Sequence, residues 1–135
     1  MSYWRLHYHI IWATYERQPL LVGTIEKMLY GVIYKKAEEL SLRIHAIGSV
    51  SDHVHIALSI PPKISVSECV KHFKGTSSYA INHMKGGDGS FRWQEGYGAV
   101  SISENALPIV IIYVKNQKIH HSDNSTLEYY EKIDE

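Results

Sequence analysis

The sequence carries no excess of charge of either sign: 14 lysines and arginines face 14 acids, leaving a formal net charge of zero with histidine neutral. That absence removes the broad positive field by which composition alone marks a nucleic-acid-binding protein. Cysteine is almost missing as well. Cys69 stands alone, so the chain forms no internal disulfide, and a reducing, cytoplasmic setting is expected. The longest apolar run, Leu107 to Val114, is interrupted by Pro108 and falls far short of the roughly 20 residues that a bilayer-spanning helix needs. No membrane segment is expected, and no secretory leader, because no early stretch joins a basic start to an apolar run and a small-residue cleavage site.

What remains is an ordinary globular composition, 44% hydrophobic and 21% charged over 135 residues. That length suits a single domain over residues 1–135, with enough chain to bury a core. The acids gather away from the centre, with Glu38 and Glu39 ending a helical stretch and Glu128, Glu131, Asp134 and Glu135 in the tail. A locally basic surface is therefore compatible with overall neutrality.

Residues Trp4 to Thr14 alternate roughly and are rich in β-prone side chains, which predicts a first strand. Thr24 is placed to cap a helix whose apolar positions Ile25, Met28, Leu29, Val32, Ile33 and Leu40 recur at three- and four-residue steps. Arg43 to Val50 and His53 to Ile60 read as two strands joined at Ser51 and Asp52, a hairpin separation, and Pro61-Pro62 ends the second. Ser65 and Glu68 have capping-box spacing before the stripe Val66, Cys69, Val70, Phe73, Ala80, Ile81 and Met84. After a glycine-rich loop at Gly86 to Ser90, Tyr97 to Ile102 returns as a strand. The order βαββαβ plus a tail is that of an α+β, ferredoxin-like split βαβ sandwich, an antiparallel sheet with helices on one face.

The tail from about Asn105 is ambiguous, because Ile109-Val110-Ile111-Ile112-Tyr113-Val114 is β-branched almost throughout. Pro108 fits the first turn of a helix, where a missing N–H costs nothing, and Lys115 to His121 suits a helix end, so a helix is expected. Either way Tyr113 and Gln117, four apart, lie on one face.

In Asp52-His53-Val54-His55-Ile56-Ala57-Leu58, two imidazoles two positions apart on a strand project from the same face and can share a metal ion. Spacing alone does not decide it: nine histidines in this chain give about 0.5 such pairs by chance, and His7-Tyr8-His9 is a second one. Core or surface histidines are the commoner outcome for such a pair. The nucleotide hydrolases that use three alternating histidines are disfavoured, since the third place here is Ala57.

Tyr8-His9-Ile10-Ile11-Trp12, His53-Val54-His55-Ile56, Phe73-Lys74-Gly75-Thr76-Ser77-Ser78, Trp93-Gln94-Glu95-Gly96-Tyr97-Gly98 with Ser101-Ile102-Ser103, and Tyr113-Val114-Lys115-Asn116-Gln117 follow one another along the chain. In that order and spacing they resemble the single-tyrosine transposases of the HUH superfamily, encoded by the smallest prokaryotic insertion sequences. The likeness covers nearly the whole chain. It implies the ferredoxin-like fold, a divalent metal held by His53, His55 and the side-chain oxygen of Gln117, and Tyr113 as nucleophile on a C-terminal helix. It also implies a single-stranded DNA substrate with hairpin ends, and a homodimer in which the tyrosine helix of one subunit serves the histidine pair of the other.

The chemistry suits those residue types. A tyrosine oxygen that attacks phosphorus keeps the phosphodiester's energy in a covalent bond, to be released when another strand's hydroxyl displaces it. The mixed nitrogen and oxygen ligands suit Mn2+ or Mg2+. Arg17, Lys71, Lys74 and Arg92 are candidates for phosphate contacts, and Tyr79, Trp93 and Tyr97 for stacking on unpaired bases. Two other readings stay open on sequence alone: a non-catalytic single-stranded DNA- or RNA-binding module, and a metal-dependent phosphoesterase that uses water.

Overall fold

A computed structural model of the protein describes residues 2–134; Met1 and Glu135 lie outside the described residues. Four strands, β1 (His7–Ala13), β2 (Arg43–Val50), β3 (His53–Ser59) and β4 (Gly98–Ile102), form one antiparallel sheet in the order β2-β3-β1-β4. With helices α1 (Gly23–Glu39) and α2 (Val66–His83), this is the ferredoxin-like arrangement expected from the element order.

Alternation along the strands divides the molecule into two layers. Ile10, Trp12, Val54, Ile56 and Leu58 point to one face, where they meet Leu29 and Ile33 of α1 and Val70 and Phe73 of α2 in the main core. Burying each of these side chains contributes about 1.5–3 kcal/mol. The Ser65 hydroxyl accepts from the Glu68 N–H and so fixes the start of α2, as the sequence spacing predicts. Thr24 does not play the matching role in α1. That helix begins at Gly23, whose φ is +55°, with Val22 at the cap position and no side-chain cap, so the chain enters by a left-handed glycine instead.

The tail crosses the opposite face of the sheet as three short helices, α3 (Leu107–Lys115), α4 (Gln117–Ser122) and α5 (Glu128–Glu131). Leu107, Val110 and Val114 of α3 are buried against Ala46 of β2 and Ala57 of β3. That three- and four-residue recurrence, started by Pro108 in the first turn, is why the β-branched stretch is helical: tertiary burial of one stripe outweighs local propensity.

Two glycines let the tail lie this close. A Cβ at Gly48 would fall 1.7 Å from the Val114 carbonyl oxygen, and one at Gly98 would fall 1.9 Å from that of Lys132. Backbone therefore meets backbone where α3 passes β2 and where the chain beyond α5 passes β4. Among the described residues, no helix is long and apolar enough to cross a membrane.

Candidate functional site

The face of the sheet under the tail is where the histidines stand. His53, His55, Ala57 and Ser59 alternate with the core residues of β3, and His7 and His9 do the same on β1. His53 and His55 are both buried, with ring centroids 5.0 Å apart. The expectation that their side chains share a face holds.

Each ring is held from behind. The Asp52 carboxylate lies 2.7 Å from His53 Nδ1, and because a carboxylate only accepts, that nitrogen carries the proton and donates. In a neutral ring that leaves the lone pair on His53 Nε2. The Nδ1 of His55 lies 2.7 Å from the Nε2 of His9, which is itself buried. Both Nε2 atoms face the underside of the tail.

From the tail come His121 of α4 and Glu131 of α5. The Oε1 of Glu131 lies 3.2 Å from Nε2 of His53, 3.2 Å from Nε2 of His55 and 3.3 Å from Nε2 of His121. None of these three nitrogens has an aligned hydrogen-bond partner, although all are buried. Their donor atoms and a Glu131 oxygen all fall within 4.8 Å of one another. Buried donors that converge while lacking partners are what a metal ion satisfies, so His53, His55, His121 and Glu131 form a set able to hold one.

Tyr113, on α3, stands beside this set. Its ring meets His55 edge-on at a centroid separation of 6.0 Å and stacks on His120 at 4.6 Å. Its hydroxyl donates to Glu131 Oε2 and accepts from the Leu127 N–H at 3.0 Å. Burial first, and then the neighbouring carboxylate, push the phenol up to about 12. For Glu131 burial works in the raising direction, but contacts with His53 and His55 outweigh it and hold the carboxyl well below its usual range. His55, kept from charging chiefly by burial, is lowered to about 4, and His9 to about 3 for the same first reason. His55 and His9 are thus neutral imidazoles beside a carboxylate and an un-ionised phenol.

Gln117 opens α4 just after a break at Asn116, so it lies on a different helix from Tyr113 yet stays beside it: its Nε2 donates to the Tyr113 carbonyl at 3.0 Å. Its Oε1 is buried and has no hydrogen-bond partner among the described residues.

The basic candidates divide. Arg17 lies at the rim of the site, its Nη1 3.4 Å from His53 Nδ1 and 3.8 Å from Asp52. Arg92 lies over the Tyr15 ring at 3.9 Å, and Lys71 is exposed on α2. Lys74 is engaged, donating to the carbonyls of Gln94 at 2.8 Å and Gly96 at 2.6 Å. Of the proposed stacking residues, Tyr79 is exposed and lies on His83, whereas Trp93 packs against Trp12 and Phe91 and donates to Ser77.

Sequence reasoning missed His121 and Glu131. His121 carried a signal, since it lies four positions after Gln117 and eight after Tyr113 and so continues the same face. Glu131 carried none: it reads as one acid among several in the tail.

Residues 2–117 match the family model described as "Transposase IS200 like". The transposase of insertion sequence element IS200 from Salmonella typhimurium is 31% identical over 120 residues, covering 84% of this chain and 78% of that protein. A crystal structure from Deinococcus radiodurans, assigned to the transposases, superposes with a TM-score of 0.65 at 27% identity over 87% of this chain and 95% of the other. A REP-associated tyrosine transposase bound to a REP hairpin superposes with a TM-score of 0.68 over 90% of this chain and 74% of the other, a likeness of fold at 19% identity.

Proposed function

The chain belongs to the IS200-like transposase family, and from that premise we propose that it nicks and rejoins single-stranded DNA through a covalent bond to Tyr113. The observation that carries the proposal is the meeting of Tyr113 with the buried His53–His55 pair under one carboxylate, Glu131.

The Tyr113 oxygen attacks the scissile phosphorus and the bond to the 3′-oxygen breaks, leaving a 5′-phosphotyrosine and a free 3′-hydroxyl. Attack by the 3′-hydroxyl of a second strand reverses the step, joins the strands and restores the phenol. At rest the proton is held between Tyr113 and Glu131 Oε2, and a phenol raised to about 12 is a poor nucleophile. Reaction therefore requires the hold of Glu131 on the hydroxyl to loosen. Asp52 keeps the His53 ring oriented while that happens.

The metal is proposed to be Mg2+ or Mn2+, held by His53 and His55 with Gln117, His121 and Glu131 as the remaining donors. The unpartnered Gln117 Oε1 supports its place among them. What a divalent ion supplies there when bound is positive charge toward a non-bridging phosphate oxygen and the developing 3′-oxygen.

The substrate is inferred to be single-stranded DNA with hairpin ends, approached along the rim at Arg17, with Lys71 and Arg92 as further phosphate contacts. We also infer a homodimer that shares its sites, in which the tail that here sets Tyr113 beside the histidines of its own subunit crosses to those of the partner. Ile109 is 71% exposed and Ile112 59%, an apolar outer side of α3 that a second subunit would cover.

The test incubates the protein and its Tyr113→Phe variant with Mn2+ and 3′-labelled single strands bearing hairpins, followed by denaturing gels. A labelled protein band that needs both Tyr113 and metal is expected. Free cleaved DNA without a band would mean a phosphoesterase using water, and binding without cleavage a non-catalytic module. Mixing Tyr113→Phe with His55→Ala protein tests sharing: restored cleavage is expected, and two inactive partners that stay inactive would rule it out.

A further inference from the structure

His7-Tyr8-His9 is a histidine pair for which the proposed reaction has no use, yet His9 is 1% exposed on the same sheet face as the site. In the β1–β3 pairing His9 lies opposite Ala57 and Ile11 opposite His55, so His9 and His55 are diagonal neighbours. Their nitrogens are 2.7 Å apart, Nε2 of His9 to Nδ1 of His55. The tail wedges the His9 ring in place, with Tyr130 packed edge-on at 5.0 Å.

A hydrogen bond between two imidazoles needs one protonated and one bare nitrogen, and the two choices differ in consequence. If His9 donates, the proton of His55 is on Nε2, and the face toward Glu131 and His121 has no lone pair. If His9 accepts, His55 carries its proton on Nδ1 and presents a bare Nε2. The second choice makes His55 match His53, where Asp52 already enforces a protonated Nδ1. Both rings are then gripped at Nδ1 and aimed at one point through Nε2.

We propose that His9 is a positioning residue for the metal centre, accepting from Nδ1 of His55 and so fixing the tautomer and ring angle with which His55 meets the metal. The inference rests on the metal reading above. A bare acceptor without charge suits this place, since His9 is 1% exposed and a carboxylate there would bring a further negative charge out of water.

The experiment titrates Mn2+ into the full-length wild-type, His9→Phe and His9→Gln proteins by calorimetry, with thermal melts alongside. Phenylalanine fills the space without accepting. Glutamine reaches about as far as Nε2 and offers an oxygen. His9→Phe is expected to weaken Mn2+ binding about 10–100-fold, the usual range for a lost partner of a ligating histidine, and His9→Gln to recover most of it.

Equal affinity in all three proteins would overturn the proposal, and so would an equal loss in both variants, which would reduce His9 to packing. Wild-type protein that takes up no Mn2+ would overturn the metal reading itself. Should His9→Phe fail to fold, nitrogen-15 NMR of wild-type protein with Mg2+ decides the matter. A slowly exchanging His55 Nδ1–H, with coupling to His9 Nε2, is expected. A His55 proton on Nε2 would overturn the assignment.

Discussion

Tyr113 donates its hydroxyl to Glu131, 18 positions further along the chain, while the other oxygen of the same carboxylate faces the Nε2 atoms of His53, His55 and His121. One side chain from the tail therefore touches both the nucleophile and the nitrogen donors. Its charge acts in opposite senses on the two: it favours positive charge among the imidazoles and opposes negative charge on the phenol.

Replacing Glu131 with Gln should accordingly lower the Tyr113 phenol from about 12 toward 10. Burial and the carboxylate both disfavour the phenolate while the Leu127 N–H favours it, so removing the negative charge takes away one of the two raising causes and the midpoint falls. Absorbance titration, read as the difference from the same variant carrying Tyr113→Phe, measures it. An unchanged midpoint would mean the carboxylate is not what raises the phenol.

Tyr113→Phe and His55→Ala should separate two roles. The first removes the covalent adduct and leaves Mn2+ affinity within a few-fold of wild type, because the tyrosine hydroxyl is engaged with Glu131 Oε2 and the Leu127 N–H. The second should cost at least ~100-fold in Mn2+ affinity, more than the loss of an outer partner. Calorimetry on both variants checks the pair, and a Tyr113→Phe protein that no longer binds Mn2+ would count against the division.

Gly48→Ala should unseat α3. The added methyl would come within 1.7 Å of the Val114 carbonyl oxygen and 3.3 Å of Gln117 Cγ, so the tail has to move off β2. A cost of about 1–3 kcal/mol is expected from urea unfolding, together with a loss of adduct formation, since Tyr113 precedes Val114 directly. A variant as stable and active as wild type would show that the contact is soft.

Two lysines three residues apart on α2 should behave differently toward DNA. Lys71 is exposed, and Lys71→Ala should reduce the slope of log affinity against log salt by about 1. Lys74 is bound to two carbonyls of the loop before β4, so Lys74→Ala should leave that slope alone and lower stability by about 1.5–3 kcal/mol. Salt-dependent binding and chemical unfolding of both variants make the comparison.

The sheet and both long helices were legible because their signals are local: alternation in β1 and β3, the Ser65 cap, the two-residue hairpin at Ser51 and Asp52. His53 and His55 were legible for the same reason, as neighbours on one strand. Tyr113 among ten tyrosines was not, and needed the family resemblance to single it out. Glu131 was hidden because its place depends on the path of the tail after Ser122, and that path is set by close passages at Gly48 and Gly98 that no periodicity announces. The break at Asn116 was hidden too, since Gln117 keeps its hydrogen bond to Tyr113 across it.

Strand β3 carries two messages in one reading frame. Its even positions, Val54, Ile56 and Leu58, belong to the core, while His53 and His55 face the tail. A slip of one residue against β1 would exchange the sets, driving two imidazoles in among Trp12 and Phe73 and laying Val54 and Ile56 beneath Glu131. The misaligned chain would lose its stability and its donor atoms in the same event. A one-residue error in pairing is thereby self-censoring, because it spoils the core and the site together.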